Sequence, residues 1–136
     1  MLNVLVVDDD AVIQFHLSQL LLPIARVRIV AGGRDALALV EESLHSGERF
    51  HCVFMDIMMP GMDGLEAVRA LVSLLNERRV PLEQRPRIVM LSSANEPDIQ
   101  VEALYGCGAD YFLSKPLDGP ALNIALAELG LVAAQE

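Results

Sequence analysis

Five short apolar runs, at residues 3–7, 26–30, 52–55, 87–91 and 111–113, alternate along the chain with segments whose apolar residues recur every three or four positions. Runs this short and this apolar read as strands covered on both faces, which calls for parallel pairing with helices above and below one sheet. The intervening segments supply those layers. Ile13, Leu17, Leu20 and Leu21 share a face of a helix over 11–22 that stops before Pro23. A second helix starts at Gly32-Gly33 and runs through Ser43, with Ala36, Leu37, Val40 and Leu44 at helical spacing and Gly47 near its end. After a turn-rich loop at 56–64, a third carries Leu65, Val68, Leu71, Val72 and Leu75. A weaker helix is expected over 98–105, ending at Gly106 and Gly108. The last starts at Asp118, an N-cap followed by Pro120, and buries Leu122, Leu126 and Leu129. The expected architecture is α/β: a doubly wound, five-stranded parallel sheet with helices on both faces. Its 136 residues suit one domain over 1–136.

In such sheets ligands collect beyond the carboxyl ends of the strands. Those ends carry Asp8 and Asp9 after the first strand, Asp56 after the third, Ser92 after the fourth and Lys115 just past the fifth. Taken singly, each has an ordinary reading: paired aspartates cap helices, strand-end serines form turns, and a lone lysine is solvated. Their joint placement points to one site. Three crowded carboxylates repel one another unless a cation joins them, and an oxygen-only donor set suits magnesium. With such an ion present, Asp56 is the expected nucleophile toward phosphorus, while Lys115 and the Ser92 hydroxyl offset charge on the transferring oxygens. Lys115 is the chain's single lysine. Asp10, the third acid of the run, is placed to cap the first helix.

Composition excludes several other functions. A net charge of -9 repels a phosphate backbone, so direct nucleic-acid binding is not expected. Although 53% of residues are hydrophobic, charges interrupt every stretch before it could span a bilayer, and the N-terminus has no basic leader. A cytoplasmic protein with no membrane association is expected. Cys52 and Cys107 read as reduced core thiols, and His16, His45 and His51 have no metal-ligand spacing. Met55, Met58, Met59 and Met62 lack interleaved Cys or His ligands and are assigned to loop and core packing.

The motifs VLVVDDD, MDIMMPGMDG, IVMLSSA and DYFLSKP, in that order and spanning nearly the whole chain, resemble the receiver domain of two-component response regulators, including the single-domain chemotaxis regulators. The resemblance implies a flavodoxin-like strand order of 2-1-3-4-5. It further implies that Asp56 accepts the phosphoryl group. Asp9 and Asp56 would ligate magnesium through side chains, Met58 through its backbone carbonyl, and Asp8 partly through water. Ser92 and Lys115 would hold the phosphoryl group, Lys115-Pro116 would be cis, and Ser92 with Phe112 would form the switch. Ser92 replaces the usual threonine and Phe112 the frequent tyrosine, both tolerated variants. The connection at 78–85 is longer than in a minimal receiver and reads as a passive insertion.

The function so implied is a phosphoacceptor switch that catalyses its own phosphorylation and dephosphorylation, rather than an enzyme acting on an external substrate. Its donor would be a sensor histidine kinase or histidine phosphotransfer protein. Phosphorylation would reshape the face formed by the 98–105 helix, the fifth strand and the last helix, for a downstream effector, an output domain or a second copy in a dimer. Two alternatives remain open at the level of sequence. One is a pseudo-receiver that only binds partners. The other is a phosphohydrolase using Asp8 and Asp10 as an Asp-x-Asp pair.

Overall fold

The structure, a computed structural model, describes residues 1–93 and 106–132. Strands β1 (Leu2–Val7), β2 (Ala25–Val30), β3 (Cys52–Asp56), β4 (Arg87–Ser92) and β5 (Tyr111–Ser114) form one parallel sheet in the order β2-β1-β3-β4-β5. Four helices accompany them among the described residues: α1 (Ala11–Leu21), α2 (Gly33–Ser46), α3 (Gly64–Glu77) and α4 (Gly119–Glu128). The helix expected at 98–105 lies outside the described residues.

Period-two alternation along the central strands divides the core in two. Leu5 and Val7 of β1, Val53 and Met55 of β3, and Ile88 and Met90 of β4 face α2 and α3, where they meet Ala36, Val40, Val68, Leu71 and Leu75. Their neighbours Val4, Val6, Cys52, Phe54, Val89 and Leu91 point the other way, onto Leu17 and Leu21 of α1 and Leu122 and Leu126 of α4. Both cysteines are buried and neither is in a disulfide, as expected of core thiols. The edge strand β2 departs from the expectation of burial on both faces. Arg26, Arg28 and Ile29 are exposed there, because a strand with one neighbour is covered on fewer sides.

Helix ends follow their caps. Asp10 accepts from Val12 N at 2.8 Å and starts α1; Asp118 accepts from Ala121 N at 2.7 Å and starts α4. Asp63 and Glu66 form a reciprocal capping box on α3. α2 runs three residues beyond Ser43, because the left-handed Gly47 (φ 82°) is what closes it, donating its N–H to the Ser43 carbonyl. At the end of α3 the same left-handed position holds Arg79 (φ 54°), with Val80 N bonded to the Leu75 carbonyl in a Schellman arrangement. A side chain there costs about 1 kcal/mol relative to glycine. The connection then makes a short 3-10 turn at Leu82–Gln84 before β4.

At the end of the sheet where the strands begin, His51 Nδ1 accepts the Asn3 N–H at 2.9 Å. Only the neutral ring can accept. Burial first, then the charges of Arg49 and the amino terminus, hold His51 below its ordinary value of 6.5. Since the folded value lies below the unfolded one, the stability that comes from keeping this half-buried ring neutral is fully present above pH 6.5 and is lost as pH falls through the folded value. We expect the melting temperature of the wild type to fall between pH 7.5 and 5.5 by more than that of His51→Gln, as calorimetry would show. Parallel pH profiles would remove His51 from the acid lability.

Candidate functional site

Strands β3, β4 and β5 each run one residue further than the apolar pattern suggests, to Asp56, Ser92 and Ser114. The ladder continues through Asp56↔Leu91 and Ser92↔Ser114, so the polar residues stand on the last rungs of the sheet itself. Backbone hydrogen bonding therefore fixes where these side chains begin. Asp56 is 4% exposed, Ser92 1% and Asp8 0%, whereas Asp9 is open to solvent.

Asp8, Asp9 and Asp56 each direct a carboxylate oxygen into one cluster, all within 4.8 Å of one another. Lys115, beyond β5, reaches back across it: Nζ lies 2.9 Å from Asp8 Oδ2 and 3.2 Å from Asp56 Oδ1. Burial opposes the Lys115 ammonium, but its close ion pair with Asp8 and the two carboxylate charges outweigh that and raise it above its ordinary value. Asp56 is pushed upward, first by burial and then by the Asp8 charge, with Lys115 and the Met58 backbone N–H pulling the other way. Two buried carboxylates thus share one ammonium. Asp8 Oδ2 meets Lys115 in that ion pair yet accepts no hydrogen bond of ordinary geometry. A buried acceptor left in this condition, beside two further carboxylates, fits a hard divalent cation with oxygen ligands.

Surrounding bonds hold the cluster in place. Asp8 Oδ1 accepts the Asp10 N–H at 2.9 Å, and the Asp8 carbonyl accepts from Gln14 Nε2 at 2.6 Å. Asp10 itself is spent on the α1 cap, so the Asp-x-Asp pairing of Asp8 with Asp10 has no geometric support. Gly64, opening α3, donates its N–H to the Ile57 carbonyl at 2.8 Å. A Cβ there would sit 2.1 Å from the Asp56 carbonyl oxygen, so only glycine lets α3 approach the strand this closely. Neither Gln14 nor Gly64 was singled out from the sequence. The turn-rich composition of 56–64 marks a loop but not what Gly64 must clear.

Met58 is 71% exposed in the loop after β3, while Met55 and Met59 are buried and Met62 packs beside them. Phe112, on β5, is half-buried against the α2–α3 side of the core. Lys115 N donates to the Ser92 carbonyl at 2.8 Å, and the Lys115-Pro116 bond is cis, as the resemblance implied. No described helix is long and apolar enough to cross a membrane.

Comparison with known proteins agrees with this geometry. The family model for the response regulator receiver domain matches residues 4–127. Hybrid signal transduction histidine kinase L of Dictyostelium discoideum is 34% identical over 130 residues, which are 94% of this chain and 7% of that protein. Chemotaxis protein CheY4 of Vibrio cholerae superposes with a TM-score of 0.79 at 29% identity, covering 95% of this chain and 98% of the other. The co-crystal of the Saccharomyces cerevisiae histidine phosphotransfer protein Ypd1 with the receiver domain of Ssk1 matches with a TM-score of 0.81 at 26% identity, over 98% and 92% of the two chains. The chain spans 7 to 14% of the length of the curated histidine kinases it matches.

Proposed function

The chain belongs to the response regulator receiver family, and on that premise we propose that it is a phosphorylation switch whose acceptor is Asp56. The observation that carries this reading is the buried pair of carboxylates, Asp8 and Asp56, sharing Lys115 beside the open Asp9. An Asp56 carboxylate oxygen forms a bond to phosphorus as the donor's phosphorus–nitrogen bond breaks, and the donor imidazole keeps the electron pair and takes up a proton. Lys115 moves from pairing two carboxylates to pairing the new phosphoryl oxygens, and the Ser92 hydroxyl donates to another of them. Asp8, Asp9 and Asp56, with the Met58 carbonyl, would hold magnesium, which when bound offsets the negative charge gathered on the transferring oxygens. Ser92 and Phe112 couple phosphorylation to the face around β5 and α4.

The donor in this reading is a sensor histidine kinase or a histidine phosphotransfer protein, since curated histidine kinases are relatives and a receiver bound to Ypd1 is a structural neighbour. The receiver unit occupies 1–136, acts in the cytoplasm, and serves a downstream effector or output domain. The pseudo-receiver alternative is disfavoured because acid, hydroxyl and lysine are all present. The test is incubation with acetyl phosphate and magnesium, followed by borohydride reduction and peptide mass mapping. Label confined to Asp56 supports the proposal; label on Asp8, or none, overturns it.

Metal binding gives a separate expectation. Asp9→Ala removes the one solvent-facing carboxylate without disturbing the Asp8–Lys115–Asp56 bridge, so magnesium affinity should fall at least tenfold, on the order of one ligand's worth of 1.4 kcal/mol or more. Calorimetric titration reads this directly, and unchanged affinity would place the ion elsewhere.

A further inference from the structure

The end of the molecule where the strands begin carries a feature that phosphorylation at Asp56 does not use. Arg26 and Arg28 of β2 and Arg49, before β3, line a cavity of about 240 Å³ with Ser43, Ser46 and Asn3. A second cavity of about 430 Å³ shares Ser43 and Arg49 with the first and adds Arg79. The two adjoin at Ser43 and Arg49, as a two-part groove by the C-terminal end of α2. Among the described residues, none of these four guanidiniums forms an ion pair. Arg49 donates to the Glu83 carbonyl, which leaves its charge uncompensated, and the neighbouring Arg78 is spent on Glu41. Glu42 and Glu48 also border the groove, but the four arginines outnumber them. This concentration of positive charge stands out in a chain of net charge -9.

Arg79 provides an independent observation. It occupies a left-handed position at the end of α3 that favours glycine, so its side chain is kept at a cost to local stability. We propose that the groove binds a small polyanion carrying two or more phosphate or carboxylate groups, held by Arg26, Arg28 and Arg49 in the first cavity with Arg79 contributing from the second. The planar guanidinium fork suits either group, each of which accepts two parallel hydrogen bonds. The cavity at Arg26, Arg28 and Arg49 has the size for a compact molecule. Its position opposite Asp56 leaves the ligand free to bind whether or not the acceptor is phosphorylated.

The test is an NMR titration of the whole chain, free of magnesium, with inorganic pyrophosphate in one arm and citrate in the other. The expected result is saturating shifts at residues 26–28, 43–49 and 78–81, with affinity falling about tenfold in Arg28→Gln and in Arg49→Gln. A stronger response to pyrophosphate assigns phosphate as the recognised group, and a stronger response to citrate assigns carboxylate. Arg79→Gly guards against simple misfolding, because it should melt higher than the wild type and yet bind more weakly. Failure to saturate in both arms, shifts confined to the Asp8–Asp56 region, or undiminished affinity in the arginine variants would overturn the proposal. Aggregation of Arg28→Gln with undiminished binding would assign that residue to protecting the sheet edge instead.

Discussion

Asp56→Asn should abolish phosphorylation by small-molecule and protein donors alike, and at the same time raise the melting temperature of the metal-free protein. The first effect follows because an amide nitrogen cannot attack phosphorus, and no other described carboxylate both stands on a sheet rung and pairs with the Lys115 ammonium. The second follows from the electrostatics. Burial and the Asp8 charge both disfavour the Asp56 anion, so a neutral isostere removes a repulsion and leaves Lys115 to pair with Asp8 alone. Radiolabel incorporation and calorimetry should be read on the same preparation. Loss of label with a lower melting temperature would mean that Asp56 holds the fold together, and persistent stoichiometric label would relocate the acceptor.

Gly64→Ala should be strongly disruptive for a change of a single methyl group. The added carbon would meet the Asp56 carbonyl oxygen at 2.1 Å and the Ile57 Cα at 2.8 Å, backbone atoms that cannot swing aside as a side-chain tip would. Either α3 lifts from β3 or the Asp56 rung bends, and forced overpacking of this kind costs about 3 kcal/mol. That corresponds to a fall in melting temperature of roughly 10 °C for a domain of this size. Phosphorylation should slow at least a hundredfold in the folded fraction, because displacement of reacting groups by about 1 Å has that effect. Ala67→Gly, on the same helix and buried in the same core, provides the comparison: it should lower stability without slowing the folded fraction. Equal labelling rates in Gly64→Ala and the wild type would show that the close approach serves packing alone.

Much of the fold was legible because its determinants are local or periodic. The five apolar runs fell on the five strands, and Asp10 and Asp118 capped the helices they precede. The strand-end residues Asp8, Asp9, Asp56 and Lys115 met because parallel strands align all their carboxyl ends on one side, so position along each run was enough to place them. The apolar pattern stops one residue short of three strand ends for a physical reason. Hydrophobicity stops at Met55, Leu91 and Leu113, but backbone pairing does not depend on side-chain polarity and carries the ladder onto Asp56, Ser92 and Ser114. What stayed hidden were distances across the chain. The grip of Gln14 on the Asp8 carbonyl, the clearance at Gly64, and the gathering of Arg26, Arg28, Arg49 and Arg79 depend on three-dimensional packing that no spacing rule encodes.

The division of the interior into two separate apolar layers has a consequence for how the molecule opens. Strands β1, β3 and β4 are sealed by both layers at once, so their amides meet solvent only when both layers part, whereas α2 with α3, or α1 with α4, can loosen while the other pair stays docked. Deuterium should therefore enter β2 and β5 first, then the helices in two groups, and the three central strands last, at the rate of global unfolding. Met55 and Phe54 are adjacent in sequence yet belong to different layers. Truncating one of them should accelerate exchange in one helix pair far more than in the other, which makes neighbouring residues reporters of two distinct partial openings.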